Sequence, residues 1–271
     1  MHSTMLAIPN GHIHILEADA PIVSVASEQL PIVFVHGMAC SANTWESQLT
    51  HTAQFRRAIA IDLRGHGDST PPADDNYSPA ACAADLFAVL AALELEQIVL
   101  VGHSFGACVA LAAAAAQPQT IAQLVLVDPP GDCTQLPPEV YQEQLAPYEQ
   151  ALATDNWRSA IEASFRQALA GGTPATHEYI LARLAATPKA ALLGTSRGLF
   201  GFQAVDAIDQ YLSAPGTQIQ AILAPSNHLP FSLHNLRPAI TTITLPATGH
   251  WLMLDAPEAF ATALHTCVGT V

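Results

Sequence analysis

The chain has 271 residues, 50% of them hydrophobic and 12% charged, so it has enough apolar material for a large core and is not an intrinsically disordered polymer. Nine Lys and Arg face 23 Asp and Glu, a formal net charge of −14 that excludes nucleic acid or an anionic membrane surface as an expected partner. Five scattered cysteines without a Cys-x-x-Cys pair speak against a disulfide framework or a zinc site.

The N-terminal run MHSTMLAIPNGHIHILEAD has neither a basic start nor a long apolar segment, so no secretory signal is read and a cytoplasmic setting is expected. Alternation around Asn10-Gly11 predicts an antiparallel hairpin over residues 4–18. Continuous apolar runs at Pro31–Val35, Ala58–Ile61, Ile98–Val101 and Leu124–Val127 predict buried strands, separated by helices near 43–55, 78–93 and 104–117. Ser78 and Pro79 suit the N-cap and first position of the second of these helices. Ile98–Ala116 approaches the length of a membrane span, but Gly102, His103, Ser104 and Gly106 interrupt it, and it reads as strand, turn and helix. Over residues 130–215 the strands give way to proline clusters and helical stretches near 138–153, 155–170, 175–186 and 200–212, a helical insertion. Strands resume at Ile219–Ala224 and Ile240–Leu245, and a helix closes the chain over 257–267. Strands alternating with helices predict an α/β fold, a mostly parallel sheet covered on both faces.

Chemistry concentrates at the ends of these strands. In Val99–Ala107, VLVGHSFGA, Ser104 stands between Gly102 and Gly106 where a buried strand meets a helix, a setting in which the serine projects from a sharp, strained turn. The helix N-terminus beneath it favours developing negative charge. Acyl transfer needs two donors aimed at an oxyanion, and the amides of Phe105 and of Met38, after His36-Gly37, are the candidates. The hydroxyl also needs a base. His250, in Thr248-Gly249-His250-Trp251 after the last strand, lies on the same carboxyl edge of the sheet. His36, His66 and His103 sit in glycine-flanked turns, and His228, His234 and His265 lack the end-of-strand setting. The twelve histidines include no His-x-x-x-His or His-Glu-x-x-His pair, so neither a metal site nor a cofactor is expected.

These pieces resemble the α/β-hydrolase fold superfamily over essentially the whole chain: VFVHGM at 33–38, AIDLRGHGDS at 60–69, VLVGHSFGA at 99–107, LVLVDP at 124–129 and TGHWLMLDAPEAF at 248–260. The resemblance implies an eight-stranded sheet with helices on both faces, a core of residues 1–129 and 216–271, and a helical cap at 130–215 after strand six. It also implies Ser104 as nucleophile, His250 as base and the Met38 and Phe105 amides as oxyanion hole, with Asp62, Arg64 and Asp68 as scaffold. Many relatives place the triad acid after strand seven, where this chain reads Leu223-Ala224-Pro225-Ser226-Asn227-His228 and has no carboxylate. Asp128, at the tip of strand six, is the expected substitute, since either strand end reaches the far ring nitrogen of the histidine. Asp132, Asp206 and Asp209 are the alternatives, and Asp255 is expected to serve the local loop.

The expected activity is hydrolysis of a small apolar or aromatic carboxylic ester, thioester or lactone through a Ser104 acyl-enzyme. His36, Met38, His103, Phe105 and Trp251 are expected around this small-molecule substrate. Carbon–carbon bond hydrolysis is a variant. A cofactor-free dioxygenase that cleaves N-heteroaromatic 3-hydroxy-4-oxo rings has the same look, with His250 and Asp128 as the base pair and Ser104 only binding substrate.

Overall fold

The computed structural model describes residues 1–19 and 29–269. Its strands are β1 (His2–Ile8), β2 (Gly11–Ala18), β3 (Ile32–Val35), β4 (Ala58–Ile61), β5 (Ile98–His103), β6 (Ile121–Val127), β7 (Ile219–Leu223) and β8 (Thr241–Thr244). They form one sheet in the order β1-β2-β4-β3-β5-β6-β7-β8. β1 and β2 pair antiparallel, as do β2 and β4; every other pair is parallel. The predicted hairpin forms with its two-residue loop at Pro9-Asn10, one position before the expected Asn10-Gly11, and Gly11 opens β2 at φ +134°. A side chain at Gly11 would stand 2.3 Å from Thr70 Oγ1, a second reason for glycine there.

The strands of the sheet centre are apolar on both faces because helices cover both. Val33, Val35, Ile59, Ile61 and Leu100 pack with α2 (Pro79–Ala92) and α3 (Phe105–Ala116). Their neighbours Ile32, Phe34, Ala58, Val99 and Val101 pack on the other side with α1 (Glu46–Thr52) and the closing helix α12 (Pro257–Val268). Each fully buried Val, Leu, Ile or Phe contributes roughly 1.5–3 kcal/mol of transfer free energy, so this double layer is the main source of stability. Ser78 caps α2 by accepting from Ala81 N, with Pro79 at the first turn.

Between β6 and β7 lie α4 (Pro138–Val140), a π turn at Tyr141–Leu145, α5 (Ala146–Leu152), α6 (Trp157–Ala168), α7 (Pro174–Ala186), α8 (Lys189–Phe200) and α9 (Ala204–Leu212). Two features differ from expectation. The helix α8 fills 189–200, which the sequence left open. And α9, at the end of the expected insertion, packs on α3 and the sheet: Ala204, Ala207, Ile208 and Tyr211 are buried there, and Tyr211 Oη donates to Ile121 O at 2.9 Å. Short helices α10 (Leu233–Leu236) and α11 (Leu252–Asp255) follow β7 and β8. Among the described residues, no helix is long and apolar enough to cross a membrane.

Candidate active site

Parallel strands that start together end together, so β3, β5, β6, β7 and β8 deliver their following loops to one edge of the sheet. Ser104 follows β5 with φ +52° and ψ −120°, a conformation costing an L-residue about 1–3 kcal/mol. The turn tolerates no side chain on either flank. A Cβ at Gly102 would lie 2.3 Å from Gly106 O, and one at Gly106 would lie 2.4 Å from Val35 O and 2.5 Å from His36 O. Ser104 N donates to Val127 O at 3.0 Å, which ties the turn to β6.

The loop after β3 approaches this turn closely, since a Cβ at Gly37 would stand 3.0 Å from Ser104 Cβ and 2.9 Å from His103 Nδ1. The amides of Met38 and Phe105 have no hydrogen-bond acceptor among the described residues. One lies beside the serine in space and the other beside it in sequence.

His250 lies in the loop after β8, with its side chain 21% exposed. Its Nδ1 stands 2.5 Å from Asp128 Oδ2, joining two residues 122 positions apart. The other Asp128 oxygen accepts from Ala224 N at 2.9 Å and Asn227 Nδ2 at 3.1 Å. Burial alone would push the Asp128 carboxyl up, but the hydrogen bond and charge of His250, with the Ala224 and Asn227 donors, outweigh it and hold Asp128 below the usual carboxylate range. Asp128 itself sits at φ +41°, its amide donating to Ile222 O at 2.8 Å.

The competing carboxylates lie elsewhere. Asp132 accepts from Thr134 N and Val205 N, Asp209 pairs with Arg237, and Asp206 is exposed on α9. Asp255 accepts from Gly249 N at 2.9 Å and Thr173 N at 2.8 Å, which fastens the His250 loop to the start of α7. Asp62 takes the amides of Ala42 and Asp68 and the ring of His14. The ligand atoms of His14, Asp62 and Asp68 lie within 4.8 Å of one another, but these bonds occupy the Asp62 oxygens, so the cluster acts as a brace between β2 and the two loops.

Four of the residues expected around the substrate are buried. His36 is fully enclosed, its Nδ1 donating to Gly37 O at 2.7 Å and its Nε2 accepting from Leu63 N at 3.0 Å, so both nitrogens are used in holding the loops. His103 is equally enclosed, and its Nε2 donates to His250 O at 2.9 Å. Burial first, and then the charge of His250, push His103 down to about 3, which keeps it neutral. Phe105 is buried under α8, and Trp251 is 3% exposed, with Nε1 donating to Cys40 Sγ at 3.3 Å. Met38 lines a cavity of about 480 Å³ walled by α5, α6 and α8. A second hollow of about 340 Å³ opens between α1 and α12 at Ile32, the far end of β3 from Met38, and holds none of these residues.

Asn227 is the member of this constellation that sequence reasoning passed over. The signal was an amide where a carboxylate was sought.

A family model described as Alpha/beta hydrolase family matches residues 32–263. The chain belongs to the alpha/beta hydrolase family. Among curated members of comparable sequence, N-formylmaleamate deformylase of Pseudomonas putida is 39% identical over 99 residues, covering 36% of this chain and 37% of that protein. The 2-hydroxymuconate semialdehyde hydrolase of a Pseudomonas species is 38% identical over 104 residues, 37% of each chain. The chain therefore matches little more than a third of the length of these alpha/beta hydrolase relatives. Solved alpha/beta hydrolase structures align over nearly the whole chain. The enol-lactonase of Burkholderia xenovorans has a TM-score of 0.75 at 17% identity, covering 97% of this chain and 98% of that one. A hydrolase of Pseudomonas aeruginosa has a TM-score of 0.77 at 22% identity, covering 98% of each. At these identities the likeness is one of fold.

Proposed function

We propose that this alpha/beta hydrolase cleaves a small apolar or aromatic carboxylic ester, thioester or lactone. The observation that carries the reading is the 2.5 Å contact of His250 Nδ1 with Asp128 Oδ2, on the sheet edge that also holds the strained Ser104. Ser104 Oγ attacks the carbonyl carbon while His250 Nε2 takes its proton. Asp128 accepts from Nδ1–H, fixing the tautomer and stabilising the imidazolium. The carbonyl oxygen becomes an oxyanion held by the Met38 and Phe105 amides, each such donor being worth roughly 3–4 kcal/mol of barrier. His250 returns the proton to the leaving group, an acyl-enzyme remains on Ser104, and a water activated by the same histidine releases the acid. The deformylase and semialdehyde hydrolase among the relatives support small-molecule hydrolysis as the reaction class.

A second reading has one observation in its favour. The His250–Asp128 pair is closed, whereas Ser104 Oγ has no hydrogen-bond partner among the described residues. In a cofactor-free ring-cleaving dioxygenase that pair would deprotonate a 3-hydroxy-4-oxo heteroaromatic, with Ser104 only binding it. Nucleophile–base hydrogen bonds are also often loose in unliganded enzymes. One experiment separates the two: Ser104→Ala abolishes turnover of p-nitrophenyl esters, and a fluorophosphonate labels Ser104 in the parent protein. A parent protein inert to both, with oxygen uptake on a 3-hydroxy-4-quinolone that survives Ser104→Ala, would replace hydrolysis by the dioxygenase reading.

A further inference from the structure

The cavity beside Met38 has a chemical character of its own. Its deep end is Met38, Ser196 and Tyr148, and its exposed rim carries Gln144, Ser164 and Gln167. None of its lining residues is charged, although the chain as a whole carries a net −14. The nearest cation on the same helix, Arg197, is exposed and lines the neighbouring cleft together with Glu149 and Tyr141.

Within the cavity three hydroxyls converge. The Tyr148 hydroxyl faces those of Ser196 and Ser164, and its ring is held edge-on to Phe200 with centroids 5.6 Å apart. Ser196 is 1% exposed, and its Oγ lies 2.8 Å from Leu192 O and 3.4 Å from Met38 Sδ. Its single proton is committed to the helix carbonyl, which leaves its lone pairs facing the cavity. Among the described residues the Tyr148 O–H has the Ser196 and Ser164 hydroxyls as its neighbours, so an entering oxygen acceptor takes its proton in exchange for theirs. Met38 joins this chamber to the site, since its side chain touches Ser196 while its amide belongs to the loop against Ser104.

We infer that the chamber selects an uncharged substrate arm bearing a neutral oxygen acceptor, a ketone, ether or amide carbonyl, received by Tyr148, and that it rejects an arm ending in a carboxylate. The physical ground is asymmetric: a neutral oxygen exchanges its water for the Tyr148 hydroxyl and keeps a hydrogen bond, whereas a carboxylate loses its water and finds no cation in the lining. This would separate the chain from the two relatives whose names carry acid substrates, formylmaleamate and hydroxymuconate semialdehyde. The inference rests on the reading of Ser104 as an acyl acceptor for the chemistry it serves, but the preference itself belongs to the chamber.

The test compares three p-nitrophenyl esters of similar length: the 5-oxohexanoate, the hexanoate and the adipate monoester. For the parent protein kcat/KM is expected to favour the oxo over the alkyl arm about tenfold or more, and the alkyl over the carboxylate arm by at least as much. Tyr148→Phe brings the oxo-to-alkyl ratio to about one. Ser164→Lys, at the exposed rim, raises the relative rate of the carboxylate arm. Ligand-observed NMR with the unreactive 5-oxohexanamide and adipic acid monoamide reads the same preference by binding alone. If none of the esters is hydrolysed but the oxo amide binds and the acid amide does not, the hydrolase reading fails and the chamber assignment stands. A carboxylate arm bound or cleaved as well as the alkyl arm, or an oxo preference that persists in Tyr148→Phe, overturns the inference.

Discussion

Asn227 donates to Asp128 across 3.1 Å, from the loop after β7 to the carboxylate at the tip of β6. The amide also donates to Pro129 O at 2.9 Å, and its oxygen accepts from Ser232 Oγ at 2.8 Å, so its orientation is fixed from both sides. The loop after β7 thus supplies a donor that holds the carboxylate on the tip of β6. Asp128→Ala is expected to lower kcat on the order of 10³-fold or more, with an unchanged far-ultraviolet dichroism spectrum. Asn227→Ala keeps the carboxylate but loosens it, and about a tenfold loss in kcat is expected. Near-normal turnover in Asp128→Ala would remove Asp128 from the relay.

The turn around Ser104 trades stability for placement. Ser104→Gly relieves a backbone held at φ +52° and is expected to raise the thermal midpoint, by about 1 kcal/mol of stability, while ending acyl transfer. Gly106→Ala is expected to do the reverse, because its methyl group would enter the carbonyls of Val35 and His36; the loss is about 3 kcal/mol or more. Thermal melts of the two variants beside the parent protein check both signs.

Buried histidines set the response to acid. His66 and His103 are pushed from 6.5 down to about 3, chiefly by burial, and His36 is lowered for the same reason. A base whose folded pKa is depressed binds its proton more readily in the unfolded chain, so stability is lost as pH falls below 6.5. At pH 5 the two strongest cases amount to about 2 kcal/mol apiece. His14 works against this trend. Its hydrogen bond to Asp62 outweighs burial and raises its pKa, so its contribution is present below 6.5 and fades as pH rises through the folded value. The net expectation is a thermal midpoint that drops between pH 7 and pH 5, with a steeper drop in His14→Gln. A flat midpoint across that interval would contradict neutral, buried His66 and His103.

The loop that carries His250 depends on Asp255. Asp255→Ala frees Gly249 N and Thr173 N together, and kcat is expected to fall about tenfold with KM little changed. Hydrogen exchange at residues 248–251 should quicken in the same variant. Unaltered exchange there would assign Asp255 to α7 alone.

Much of the fold was legible because apolar runs and helix signals agreed along the chain. Ala58–Ile61 forms the strand its composition predicts, and Ser78-Pro79 starts the helix it predicts. The helix α8 was hidden by Gly194 and Gly198, which lower helix propensity. Packing explains them: a Cβ at Gly194 would lie 2.2 Å from the Tyr77 ring, and one at Gly198 would lie 2.9 Å from Tyr77 O. At the site, residue types and strand ends pointed to the Asp128–His250 contact. Sequence did not separate enclosed histidines from a partly exposed one. His36 and His103 bear the same polar signature as a ligand-facing histidine, and only the enclosing fold turns their nitrogens toward Gly37, Leu63 and His250.

The outer position of β8 bears on how the protein fails. It is an edge strand whose residues are mostly exposed, and the loop after it carries His250, the proposed base. Fraying of that single strand would displace His250 from Asp128 without disturbing the buried centre of the sheet. Warming should therefore extinguish turnover several degrees before the molecule melts, and cooling should restore it.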